Sequence, residues 1–177
     1  MRFCFLIFCL FFNFTSCQSD AIKFLQDIFL VEDEALEDGW YRVNKVIDGD
    51  TFWVQDSLGS EMKIRLIGVD APETRNVFHK KKHPYGEVSK EYLTDLILGS
   101  AVRVQFDVDS LDRYGRTLAY VYTADGEFIN EHMVRNGYAT IMTVQPNVKY
   151  ADLFLESQKY ARDNSLGIWG EEYLVEE

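Results

Sequence analysis

I-R-L-I-G-V-D-A-P-E-T-R, residues 64–75, decides how the rest of this chain is read. Ile64, Leu66 and Ile67 suit a buried strand, and Gly68 permits a bulge or a sharp bend. Pro72 lacks the N–H that a sheet ladder needs and turns Ala71 away from helix, so the strand is expected to end here. Asp70 and Glu73 then stand just past a strand end, with Arg65 behind them. Two carboxylates on a fixed backbone, with the Ala71 carbonyl between them, make the oxygen-rich donor set that a hard cation takes. A solvated acidic turn after a strand reads the same way over so few residues, so the companions elsewhere in the chain decide.

Upstream, Trp40 to Ile47 alternates, Asp48-Gly49 gives a tight turn and Thr51 to Val54 continues as a β-rich run. A second turn over Asp56 to Ser60 leads into the quoted stretch, so three strands in meander order are predicted over 40–69. Asp50 follows the first turn, where its carboxylate can face the same site. Downstream, residues 77–86 lose periodicity and hold the most basic stretch, Lys80-Lys81-Lys82. These lysines are placed to steer phosphates toward the carboxylates; a solvated surface loop explains them equally well. His79 and His83 stand four apart, but Pro84 follows and no third ligand is near, which argues against zinc.

Further along, the spacing predicts a helix over Glu87 to Leu98 with Gly99 as its stop. Strands follow over Ala101 to Val108 and Leu118 to Tyr122, joined by D-S-L-D-R-Y-G-R at 109–116, with Arg116 at the strand entry. Asp125-Gly126 is a turn. Asn130 to Gly137 reads as a short helix capped by Asn130, and Lys149 to Asn164 as a longer one whose apolar positions face a core. Gly167-Ile168-Trp169 closes the domain. Short strands interrupted by three helices give an α+β class, mainly β.

The 177 residues, 47% hydrophobic and 15% aromatic, support one domain with a substantial core. Met1-Arg2 followed by the apolar run Phe3 to Phe14 is shorter than the roughly 20 residues that span a bilayer, and reads as a signal peptide. Phe14-Thr15-Ser16-Cys17 resembles a lipoprotein signal, in which Cys17 is lipidated and anchors the chain to a membrane; simple secretion is the other outcome. Cys4, Cys9 and Cys17 all lie in this leader, so the processed domain has no disulfide framework and no thiolate site for zinc. The expected organisation is a signal peptide at 1–17, an acidic linker at 18–39, one domain at 40–170 and an acidic tail at 171–177. Most of the net charge of −11 resides in the linker and the tail: span 40–170 holds 18 acidic against 16 basic residues. A nucleic-acid substrate is therefore not excluded.

Five ordered motifs point to a known family: V-I-D-G-D-T at 46–51, I-R-L-I-G-V-D-A-P-E-T at 64–74, D-R-Y-G-R-T-L-A-Y at 112–120, N-E-H-M-V-R-N-G at 130–137 and L-G-I-W at 166–169. Across 40–170 the chain resembles the staphylococcal nuclease-like, or thermonuclease, family. The resemblance implies an OB-fold five-stranded barrel with three helices. It implies Ca²⁺ held by Asp50, Asp70 and the backbone carbonyl of Ala71, which stands where the archetype has a threonine. Glu73 matches the carboxylate that orients or deprotonates the attacking water, and Arg65 and Arg116 match the arginines on the scissile phosphate. Arg113 and Tyr114 match positions near a second phosphate. The bond to the 5′ oxygen would be cut, leaving a 3′-phosphate.

One departure stands out. Met142 and Val144, ahead of Pro146-Asn147, replace two tyrosines that line the family's nucleotide pocket. The expectation is an exported, monomeric, calcium-dependent phosphodiesterase acting on DNA, RNA or both, either membrane-anchored as a lipoprotein or secreted. The alternative is an inactive nucleic-acid- or protein-binding module on a surface lipoprotein. Arg65, Glu73 and Arg116 are expected to face a wet cleft and to serve the transition state rather than the fold.

Overall fold

A computed structural model describes residues 39–76 and 83–170. The signal peptide, Cys17, the acidic linker and tail, and Lys80, Lys81 and Lys82 lie outside the described residues.

Strands β1 (Trp40–Asp48), β2 (Thr51–Gln55) and β3 (Glu61–Leu66) form the expected meander. β5 (Ala101–Gln105) and β6 (Thr117–Thr123) complete a closed barrel in the order β1-β2-β3-β6-β5. Closure leaves no barrel edge unpaired, which is how a small all-β core escapes edge-to-edge association. Every pairing is antiparallel except β3 with β6. Three helices stand against the barrel: α1 (Tyr85–Ile97), α2 (Ile129–Arg135) and α3 (Ala151–Asp163), followed by a 3₁₀ turn at Gly167–Trp169. This is the OB-type barrel with three helices that the family resemblance implied. No described helix is long and apolar enough to cross a membrane.

Alternation along β2 and β3 puts Phe52, Val54, Ile64 and Leu66 inside, where they meet Leu93 and Ile97 of α1 and Ile129 and Met133 of α2. Each such side chain, fully buried, contributes about 1.5–3 kcal/mol. A second cluster seats α3: Tyr120, Phe154 and Ile67 with Phe128 and Tyr150 around them. The Tyr120 and Tyr150 rings meet edge to face at 4.6 Å, a favoured aromatic geometry. Burial, together with a hydrogen bond to Asp107 (2.8 Å), pushes the Tyr120 phenol well above its ordinary value.

Three details differ from the sequence reading. The stretch 64–70 is two strands: the barrel strand ends at Leu66, and β4 (Gly68–Asp70) pairs instead with β7 (Thr140–Met142). Gly68 makes the break, with φ at +77° and room only for hydrogen, since a Cβ there would lie 2.3 Å from the Phe154 ring. The strand predicted to reach Val108 ends at Gln105. Asn130 caps nothing. It lies inside α2, fully buried, and its amide ties the middle of β6 to the β3–β4 bend, accepting from Val121 N–H (2.9 Å) and donating to the Ile67 (2.9 Å) and Ala119 (3.2 Å) carbonyls. A buried amide so satisfied holds α2 to the barrel, whereas a cap would have served only the helix.

Candidate active site

The β1–β2 turn and the β3–β4 bend place their acids side by side because β2 and β3 pair in register, Thr51 opposite Arg65. The Asp50 backbone carbonyl accepts from Leu66 N–H (3.0 Å). Its carboxylate accepts from the Thr51 hydroxyl (2.9 Å) and from Ala71 N–H (2.9 Å). Asp50 is 6% exposed, and its companion in this burial is Arg65, also 6% exposed, whose Nη1 pairs with it. The other end of the guanidinium donates to Asp70 at 3.2 Å. Arg65 therefore bridges the two carboxylates. Burial lowers its pKa, while Asp70, Asp48 and Glu73 act in the opposite sense; an arginine remains charged under such a balance.

Arg65 is more buried than expected: it is held between acids and only a small part of it reaches the cleft. Glu73, half-buried, lies within electrostatic reach of it. Asp48, passed over in the sequence as a turn residue, also faces this group. Burial raises its carboxyl, and Arg65, Arg116 and a hydrogen bond from Thr51 pull the other way.

Arg116 arrives from the opposite wall. The parallel pairing of β3 with β6, Ile64 opposite Thr117 and Arg65 opposite Leu118, brings the 109–116 loop alongside Arg65. Asp112 organises that loop. One of its oxygens accepts from the Tyr114 (2.8 Å) and Arg116 (2.9 Å) backbone N–H groups, and the other from Arg116 Nε at 2.6 Å. Burial alone would raise the Asp112 carboxyl, but these bonds hold it below the usual range. Nothing in the spacing singled out Asp112; only the D-x-Y-x-R pattern of its three donors could have done so. Arg113 and Arg116 both lie against the exposed Tyr114 ring, at 4.8 and 5.5 Å. Asn147 clips this loop to the turn after β7 by accepting from Asp109 N–H and donating to its carbonyl, both at 2.8 Å.

Between the walls is a cleft of about 460 Å³, lined by Arg65, Arg113, Tyr114, Arg116, Met142 and Val144 among others. It has a cationic end and an apolar end. Met142 and Val144 present exposed aliphatic surface there and no ring.

Among the described residues no three His, Cys, Asp or Glu side chains gather as a ligand set. The donor set at hand is smaller: the Asp50 and Asp70 carboxylates, converging on Arg65 from two sides, and the Ala71 carbonyl. All are hard oxygens held on strand ends, with no thiol or imidazole among them, and they fit calcium better than a transition metal.

Residues 63–171 match the family model described as staphylococcal nuclease homologue. The chain is 39% identical over 129 residues to the thermonuclease of Staphylococcus intermedius, covering 73% of this chain and 75% of that one. It is 38% identical over 129 residues to the thermonuclease of Staphylococcus hyicus, with the same coverage of 73% and 75%. It is 35% identical over 135 residues to endonuclease YncB of Bacillus subtilis, covering 75% of this chain and 63% of that one.

Proposed function

Because this chain belongs to the staphylococcal nuclease family, we propose that it is an exported, calcium-dependent phosphodiesterase acting on DNA, RNA or both. Its relatives are thermonucleases and endonucleases, and a nuclease activity in general follows from that kinship. The observation that carries the finer reading is that Arg65, paired behind the cleft with Asp50 and Asp70, lines the same cleft as Arg116.

In this reading the scissile phosphate lies between Arg65 and Arg116, each able to grip two of its oxygens. Glu73 orients the attacking water and takes its proton. A bond forms from the water oxygen to phosphorus, the bond to the 5′ oxygen breaks, and that oxygen takes a proton from solvent water while Glu73 returns its own to solvent. Negative charge grows on the phosphoryl oxygens as the water attacks, and fixed cations stabilise it; one such donor is worth about 10²–10³ in rate. Calcium on Asp50, Asp70 and the Ala71 carbonyl would supply further positive charge there. Arg65 engages both carboxylates, so its use on phosphate requires Asp50 and Asp70 to share their charge with another cation. Arg113 and Tyr114 extend the cleft toward a neighbouring phosphate, and Lys80, Lys81 and Lys82 steer the polyanion toward it.

Incubating purified protein with plasmid DNA and total RNA, with calcium or with chelator, tests this. Cleavage that needs calcium is expected; full cleavage in excess chelator rejects the calcium site, and no cleavage at all favours a binding module. Export belongs to the same proposal, with Cys17 lipidated. Labelled palmitate should enter the protein, and Cys17→Ala should move it from membrane to soluble fractions.

A further inference from the structure

Helix α1 touches the candidate site without contributing a charge to it. Gly86, in its first turn, lies against the backbone of the residue read as the water-orienting group: a Cβ at Gly86 would come within 2.3 Å of the Glu73 carbonyl oxygen and 2.9 Å of Thr74 N. The same Glu73 carbonyl accepts from His83 N–H at 3.0 Å, just ahead of the helix. One turn on, Ser89 is fully buried, and its hydroxyl donates to the Tyr138 carbonyl at 2.6 Å. Against that hydroxyl sits Gly49, between Asp48 and Asp50. A Cβ there would lie 2.1 Å from Ser89 Oγ and 2.7 Å from the Ala71 Cβ.

The helix therefore has two seats, three residues apart. One receives the Glu73 backbone, and the other receives the turn that carries Asp50, against whose Gly49 the Ala71 side chain also lies. Both contacts are backbone against backbone or against a short, pinned side chain, so neither can absorb an added methyl by rotating a long side chain. A rigid helix that touches two loops in this manner sets the spacing between them.

We propose that Gly86 and Ser89 are positioning residues, which fix the separation of Glu73 from the turn that carries Asp50. The proposal rests on the reading of Glu73 as the water-orienting group and of Asp50 and Ala71 as calcium donors. Its consequence is that the two seats are separable. Gly86→Ala displaces Glu73 and leaves the turn that carries Asp50 where it is. Ser89→Val crowds Gly49 and displaces the donors.

The test uses the full chain, calcium measured by calorimetry without substrate, and turnover on plasmid DNA at saturating calcium well below each variant's Tm. Gly86→Ala should lower kcat about tenfold or more with calcium affinity and KM unchanged, since a misplacement near 1 Å can cost about 10²-fold. Ser89→Val should weaken calcium binding by about tenfold in the calorimeter. Ser89→Ala adds no atom and removes the pin on Tyr138, so it serves if either larger variant does not fold; it should loosen calcium binding by a few-fold. Ile97→Val, at the buried far end of the same helix, should lower Tm while leaving kcat and calcium affinity at wild-type values. Folded Gly86→Ala and Ser89→Ala proteins with wild-type kcat and calcium affinity would overturn the positioning role. Wild-type protein that neither binds calcium nor cuts DNA would overturn the parent reading along with it.

Discussion

Arg65 reaches the cleft from a barrel strand, 6% exposed and engaged at both ends by Asp50 and Asp70. Arg116 reaches it from a loop, with 28% of its side chain exposed and a single carboxylate, Asp112, against its Nε. Both are guanidinium groups beside acids, yet their energetic setting differs. Taking Arg65 and Asp50 out of water carries a desolvation penalty of several kcal/mol per ion, which is offset by the pairing itself, by Asp70 on Arg65 Nη2 and by the Thr51 and Ala71 donors on Asp50. The Arg116–Asp112 pair stays partly solvated, where such bridges contribute about 0–1 kcal/mol. One wall has its charge built into the core; the other holds it on a braced loop. The same chemical role can therefore be removed with very different consequences for folding.

The largest effect should come from breaking the buried wall. Arg65→Met leaves Asp50 charged and buried without its cation, and removing one partner of a buried pair costs about 3–5 kcal/mol. Denaturant unfolding should show that loss, and DNA cleavage should vanish with it. A variant of wild-type stability would mean that Asp50 finds water or another donor, and the contrast between the walls would fail.

A smaller effect is expected on the loop wall. Asp112→Asn keeps the shape but weakens three hydrogen bonds, so kcat/KM on plasmid DNA should fall about tenfold, the scale of one charge-assisted bond. Its pH behaviour has a fixed sign. The folded Asp112 carboxyl is held below its ordinary value, so the unfolded chain takes up the proton first as pH falls. The brace therefore contributes fully above about pH 4, the ordinary carboxylate range, and its contribution is lost as pH drops through the folded value. Thermal melts between neutral and acid pH should show a shallower acid limb for Asp112→Asn than for wild type; equal limbs would show that the brace is not charge-dependent.

The smallest effect belongs to the apolar end, which sits outside the comparison and sharpens it. Val144→Tyr adds a ring where the cleft offers only aliphatic surface. Stacking on a base can be worth about 1–3 kcal/mol, of which a ring that is not pre-packed should realise a part. KM for single-stranded DNA should drop a few-fold with kcat unchanged.

The β1–β3 meander and the acid group around Arg65 are legible in the sequence because both are local, whereas the closed barrel is implied by the family resemblance, since its closure pairs Trp40 with Arg103 and Ile64 with Thr117. Hairpin alternation sets which residues face inward, and the pairing of Thr51 with Arg65 follows from the one short turn between β2 and β3. What was not legible depends on neighbours far along the chain. Gly68 was marked as a bend, but that β4 leaves the barrel for β7 depends on a strand 72 residues on and on Phe154 beneath it. Asn130 has the chemistry of a cap and the position of a core staple, and only its distance from Ile67 and Val121 separates the two. Arg65 is expected to face a wet cleft; its burial is set by Asp50 on one side and Asp70 on the other. Asp112 carries no signal of its own, since its role is to gather the backbone of the loop behind it. The lysines at 80–82 fall outside the described residues.

The most direct test of the contrast is turnover on plasmid DNA with saturating calcium, measured with denaturant unfolding on the same preparations of wild type, Arg65→Lys and Arg116→Lys. Lysine keeps the charge and loses the fork that grips two oxygens. Both variants should lose at least about 10² in turnover, and only Arg65→Lys should lose stability, since Arg116→Lys should stay within about 0.5 kcal/mol of wild type. Near-wild-type turnover in both variants would contradict the account, because the two arginines would then serve the fold and the loop and not the phosphate.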